Sequence, residues 1–186
     1  AERWIASGLV SREAVAACTA TALEAEGVRA RLGIGCGTAC APVVAGADLV
    51  VLGIKPQHLD DLLPQLAAHA RPGQVWLTML AGVPTDRLEA GLPAGAAVVR
   101  IMPNTPARLG LGVVAVAGGA NAGREAVDRV LGLMQPLGRA VELPEDRMDA
   151  FTAFVGSGPA YVFLFLEALA AAGQAVGFEA GTAREL

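Results

Sequence analysis

The sequence predicts a mostly parallel, doubly wound α/β sheet followed by a purely helical carboxy-terminal region. Three observations lead there. From Asp48 onward, apolar runs of strand length alternate with segments of helical spacing, several strands stop at Gly- or Pro-containing turns, and no strand pattern appears beyond Pro144. Strand–helix alternation of this kind builds right-handed crossovers and gathers the carboxyl ends of the strands along one edge.

Composition agrees with such a layered core. In 186 residues the hydrophobic share is 54%, the charged share 17% and the aromatic share 4%, with 23 glycines, which suits aliphatic helix-on-sheet packing with tight turns. A net charge of -4 offers nothing to nucleic acid. The uncharged stretch between Arg31 and Asp48 is too short and too rich in Gly and Pro to cross a bilayer, and the amino terminus lacks a basic-then-apolar leader. The expectation is a soluble cytoplasmic protein with no membrane or nucleic-acid partner.

Taken in order, residues 1–7 read as the end of a helix closed by Gly8. Residues 14–18 form a weak strand, 21–26 a helix stopped by Gly27, and 28–32 a strand-like piece. The run Gly33-Ile34-Gly35-Cys36-Gly37-Thr38 lacks the third glycine of a G-x-G-x-x-G fingerprint and is read as a flexible loop, with a short helix at 38–47. Residues 49–54 are a continuous apolar strand ended by Lys55-Pro56-Gln57, and 58–70 carry helical spacing at Leu59, Leu62, Leu63 and Leu66. Strand 75–80 ends in Ala81-Gly82-Val83, and Pro84 opens a short helix to residue 90. Strand 97–102 is stopped by Pro103 and Pro106 around polar Asn104 and Thr105. A strand at 112–117, a helix at 124–135 and a last strand at 139–143 follow.

Past Pro144, residues 145–154 are helical, Gly156-Ser157-Gly158-Pro159 breaks the helix, and 160–176 form a long helix. Between Asp149 and Glu179 the only charge is Glu167. A helix apolar on every side must be covered on every side, so it belongs in a subunit interface or against further sequence.

If the strands are parallel in one sheet, three strand-end turns meet at the same edge: Gly53-Ile54-Lys55-Pro56, Met79-Leu80-Ala81-Gly82 and Pro103 to Pro106. They offer an amine, an amide, a hydroxyl and a small-residue backbone surface, which suits a flat, phosphorylated ligand such as a dinucleotide. Ser157 caps the long helix in this reading, and its free backbone N–H groups make a carboxylate or phosphate site near Gly158. His58 and His69 have no nucleophile or metal partner spaced with them. Cys18, Cys36 and Cys40 read as small buried thiols of a reducing compartment, and no metal site is expected.

Val98-Val99-Arg100-Ile101-Met102-Pro103-Asn104-Thr105-Pro106, Met148-Asp149-Ala150 and Gly156-Ser157-Gly158-Pro159-Ala160-Tyr161 together resemble the pyrroline-5-carboxylate reductase family, as does Val51-Leu52-Gly53-Ile54-Lys55-Pro56-Gln57. The resemblance implies a Rossmann-like domain over residues 1–143 and the start of an all-α dimerisation and substrate domain over 144–186. It implies hydride transfer from NADPH or NADH to the C=N carbon of 1-pyrroline-5-carboxylate, giving L-proline, in a homodimer or a ring of dimers. By the same resemblance Gly53, Ile54, Lys55, Pro56, Met79, Leu80, Ala81 and Asn104 would bind cofactor, and Ser157 and Gly158 substrate. The family's Gly-rich first loop and its active-site threonine have no counterpart here, so a fragment is expected, inactive alone, with its catalytic residues unknown. Two alternatives stay open, another imine or keto reductase of this architecture and a non-catalytic dimerising product.

Overall fold

The computed structural model describes residues 1–186. Its elements run α1 Glu2–Ala6, β1 Ala16–Cys18, α2 Ala22–Leu32, β2 Gly35–Gly37, α3 Ala41–Gly46, β3 Leu49–Leu52, α4 Leu59–Ala67, β4 Val75–Thr78 and α5 Thr85–Gly91. They continue as β5 Ala97–Pro103, β6 Gly112–Gly118, α6 Arg124–Met134, β7 Gly138–Glu142, α7 Met148–Phe151, α8 Gly158–Ala175 and α9 Ala180–Glu185. The strands make two sheets rather than one: β1–β2, and β3-β4-β5-β6-β7. Every pairing is parallel except β5 with β6. Neither β1 nor β3 has a strand on its second edge.

The five-stranded sheet is covered on both faces, and period-two alternation assigns each side chain its layer. Val50, Leu52, Trp76 and Val98 pack with Leu59, Leu63, Leu66 and Leu88 from α4 and α5 on one face. On the other, Val75, Leu77, Val99, Ile101, Val114 and Val116 pack with Val127, Val130 and Met134 from α6. The indole of Trp4 in α1 leans on this second layer and donates to the Leu133 carbonyl at 2.6 Å. A smaller cluster joins Met102, Ala115 and Ala117 to Met148 and Phe151 of α7, seating the carboxy-terminal helices against β5 and β6.

Two early elements differ from expectation. Residues 22–32 are one helix, not a helix and a strand, because Thr21 and Glu24 close a capping box and Gly33, at φ 66°, supplies the left-handed residue that ends it. Gly27 faces open space inside that helix and costs it about 1 kcal/mol without stopping it. The Gly-rich run is not a loop either. Gly35–Gly37 pairs in register with Ala16–Cys18, so backbone hydrogen bonding overrides the poor strand propensity of Gly-Cys-Gly.

The carboxy-terminal region holds a third correction. The helix is not broken at residues 156–159. Thr152–Gly156 widens into a π turn and α8 continues from it. The run from Glu145 to Ala175 is 31 residues, long and apolar enough by length and composition to cross a membrane. No residue of α8 is buried.

Candidate functional site

The strands β3, β4 and β5 are parallel and in register, Leu52 level with Thr78 and Thr78 with Arg100. Their following turns therefore share one edge. β5 runs three residues further, to Pro103, lifting Asn104 about 10 Å above the other two turns at ~3.3 Å per strand residue. The edge is a low shelf with one raised wall.

On the shelf, Gly53, Lys55, Pro56, Met79 and Ala81 are exposed. A Cβ added at Gly53 or Gly82 would meet nothing within 4 Å, so the backbone there stays open to a flat ligand. Lys55 makes no ion pair and is a free ammonium. Two side chains expected on this surface face elsewhere. Leu80 is 1% exposed and belongs to the core, its N–H taken by the Thr78 hydroxyl at 3.3 Å, and half-buried Ile54 packs on the same cluster. These positions can offer a ligand little beyond their backbone.

Asn104 builds the wall. Its Oδ1 accepts from the Val113 N–H at 3.0 Å and its Nδ2 donates to the Val155 carbonyl at 3.4 Å. One side-chain amide thus ties the β5 turn to the start of β6 and to the π turn. That second bond places Ser157 and Gly158 beside the wall. Ser157 does not cap α8 as expected: it has helical dihedrals, and both its N–H (2.9 Å) and its hydroxyl (3.1 Å) bond the Thr152 carbonyl. The Ala160 N–H is also taken, by the Ser157 carbonyl, and the Tyr161 hydroxyl donates to the Ala153 carbonyl at 2.9 Å. The π turn is closed by its own bonds.

Sequence reading missed the residue that anchors this region. Arg100, in the middle of β5, is 3% exposed. Its Nη2 donates to Asp149 Oδ1 at 2.9 Å, and Nη1 lies 3.6 Å from Glu145 Oε1. Glu145 also accepts from the Thr85 N–H at 2.7 Å and hydroxyl at 2.5 Å. The Arg100 Nε has no partner. A buried guanidinium, two carboxylates and a helix start thus link the sheet to the segment leading into α7. The signal was present: an arginine inside Val98-Val99-Arg100-Ile101-Met102 must find buried counter-charge. Two clefts, of about 600 and 430 Å³, lie beside Arg124 and beside Arg100, and neither includes Gly53, Lys55, Met79 or Asn104.

The cysteines also depart from expectation. Cys18, at the end of β1, and Cys40, at the start of α3, are bonded, with Cα atoms 5.3 Å apart, and only Cys36 is free. Neither His58 nor His69 enters a site, both being exposed.

A mostly parallel, doubly wound sheet with its strand-end turns along one edge, joined to an apolar helix with no buried residue, defines a Rossmann-like α/β fold. Residues 145–186 match the family described as pyrroline-5-carboxylate reductase dimerisation, and residues 1–82 match NADP oxidoreductase coenzyme F420-dependent. The pyrroline-5-carboxylate reductase of Mycobacterium leprae is 42% identical over 154 residues, which are 80% of this chain and 52% of that protein. The solved 1-pyrroline-5-carboxylate reductase of Streptococcus pyogenes superposes with a TM-score of 0.84 at 31% identity, covering 97% of this chain and 69% of that one. The Plasmodium falciparum pyrroline carboxylate reductase, solved with NADP bound, shares the fold at a TM-score of 0.86 and 22% identity over 99% of this chain and 68% of that one. The chain belongs to the pyrroline-5-carboxylate reductase family. It spans about half the length of the curated Mycobacterium relative.

Proposed function

We propose that this chain supplies the cofactor shelf and part of the substrate wall of an enzyme that reduces 1-pyrroline-5-carboxylate to L-proline with NADPH or NADH. The observation that carries this is the in-register edge of three parallel strand ends, with the π turn held over the third by the Asn104–Val155 bond. The residues fit a dinucleotide. Gly53 and Ala81 leave backbone exposed for a flat ligand, and Lys55 supplies an unpaired positive charge for a phosphate. Ile54, Pro56, Met79 and Leu80 shape the shelf beneath it, and Asn104 sets the height of the wall near the nicotinamide end. Bound nicotinamide supplies the hydride, and the chain's task is to hold ligands in register and keep water out. Ser157 and Gly158 would meet the substrate through backbone, since the Ser157 hydroxyl is already committed.

The boundary between the cofactor and helical units falls at residues 143–144 in this proposal, and α8 is the face that meets a second copy. Tyr161, Phe163, Leu164 and Phe165 are each more than half exposed, and the match of residues 145–186 to a dimerisation family favours protein over lipid as their cover. A cytoplasmic location is part of the same proposal.

The test is NADPH titration and turnover with the protein expressed from its complete reading frame. Lys55→Glu should weaken NADPH binding at least tenfold, with the deficit shrinking as salt rises. Unchanged affinity in Lys55→Glu would remove Lys55 from the site. Turnover with a ketone but not with the cyclic imine would favour a keto reductase of the same architecture.

A further inference from the structure

One face of β5 carries the segment that follows β7 at three successive positions. Side chains alternate along a strand, and the extended backbone of Asn104 (φ -106°, ψ 169°) continues the alternation past the strand end, so Arg100, Met102 and Asn104 share a face. Arg100 holds Asp149 at 2.9 Å and lies 3.6 Å from Glu145. Met102 is buried with Met148 and Phe151, and Val155 leans on the same cluster. Asn104 donates to the Val155 carbonyl. Glu145 meets the first of these positions and Val155 the last, so the helical segment runs along β5 toward its turn.

The three positions do different things. Met102 and Met148 are unbranched and adaptable, so the middle contact supplies burial without fixing how far the segment slides. The two end contacts are directional, and they lie about 13 Å apart at ~3.3 Å per strand residue, which fixes slide and tilt together. Of the two, the Asn104 bond is long, at 3.4 Å, while the Arg100–Asp149 bond is charge-assisted and 2.9 Å. Glu145 is itself held by the N–H and hydroxyl of Thr85 at the start of α5. A buried ion pair adds little net stability over apolar packing, and its best-attested use is to fix register. Just past Phe151 the helix widens at Thr152–Gly156, where the Ser157 N–H reaches back five residues to the Thr152 carbonyl, and such π turns recur at functional sites.

We propose that Arg100 is a positioning residue: through Glu145 and Asp149 it sets where the π turn sits over the β5 turn, and so where the Ser157–Gly158 backbone meets substrate. The inference rests on the substrate reading above. With its side chain 4% exposed, Arg100 acts through these partners and not by touching a ligand. A shift of the π turn moves that backbone against the substrate and leaves Gly53, Lys55 and Ala81 in place, since their turns leave β3 and β4.

The test uses the protein from its complete reading frame, assayed well below its unfolding temperature with sites counted by NADPH binding. In Arg100→Met the KM for 1-pyrroline-5-carboxylate should rise about tenfold and kcat fall less than about threefold, with the NADPH dissociation constant within about twofold of wild type. Amide exchange over residues 152–158 should quicken about tenfold. Arg100→Lys keeps a cation that reaches one carboxylate, so its KM should lie between the two, about threefold above wild type, and it carries the same test if Arg100→Met does not fold. A side chain that only supports folding changes the folded fraction and leaves KM per counted site unchanged, and that result overturns the proposal. So do equal losses in NADPH and imine binding, or unchanged exchange over residues 152–158. If the wild type binds NADPH yet leaves the imine unreduced, the substrate reading falls, and the exchange result alone decides whether Arg100 sets the turn.

Discussion

The Arg100 network makes an asymmetric prediction. Removing Glu145 leaves a guanidinium that is 3% exposed with one carboxylate, Asp149, whose own side chain is 79% exposed, and strips Thr85 of the acceptor for its N–H and hydroxyl. Breaking one side of a buried ion pair costs about 3–5 kcal/mol. Because Asp149 remains, Glu145→Ala should cost about 2–4 kcal/mol of folding stability. Removing the cation is milder. In Arg100→Met, Glu145 keeps both Thr85 donors and the orphaned Nε disappears, so the loss should be about 1–2 kcal/mol. Asp149→Ala removes a mostly solvated partner and should cost about 1 kcal/mol or less. The double variant Arg100→Met/Glu145→Ala should then be more stable than the two single losses summed, by at least about 1 kcal/mol. Urea unfolding followed by far-UV circular dichroism at low protein concentration measures all four. A larger loss from Arg100→Met than from Glu145→Ala, or strict additivity, would refute the reasoning.

Other consequences are quicker to check. On the proposed α8 interface, Phe163→Asp with Phe165→Asp should leave the chain monomeric by light scattering, since both side chains lie on an uncovered helix at 58% and 64% exposure. Gly33→Ala places a side chain at φ 66°, where a Cβ also meets the Arg12 stem, and should cost about 1–2 kcal/mol with the last turn of α2 frayed in amide exchange. In α6, Arg124 bonds Asp128 and Glu142, and its hydrogen bond holds the Asp128 carboxyl below its usual range. The stabilisation is therefore fully present above the ordinary carboxylate pKa and is lost as pH falls through the lowered one. A carboxyl NMR titration should show Asp128 protonating below the ordinary aspartate range, and Arg124→Gln should return it to that range.

From Leu49 to Glu142 the elements were legible because apolar runs, helical spacing and Pro–Gly stops all agreed, and the strand-end turns followed from that order. Near the amino terminus the signals conflicted. Thr21-Ala22-Leu23-Glu24 spells a capping box and Gly33 a helix stop, yet Gly27 drew the boundary too early. Strand β2 was beyond reach, since its stabilisation lies in a partner strand rather than in Gly-Cys-Gly itself. At the candidate site, positions were legible and directions were not. Leu80 sits in the right turn with its side chain in the core, and Asn104 spends its amide on Val113 and Val155. Ser157 reads as a cap only while the helix is taken to start there, and a π turn has no sequence signature to warn otherwise.

The central claim, that the shelf and wall serve hydride transfer to a cyclic imine, is tested most directly by isotope transfer. The protein from its complete reading frame would be given 1-pyrroline-5-carboxylate and NADPH deuterated on the donor face of the nicotinamide. The account predicts L-proline carrying one deuterium at the former imine carbon, with NADPH consumed one for one. NADPH binding without any deuterated proline, from a folded and associated protein, would contradict it.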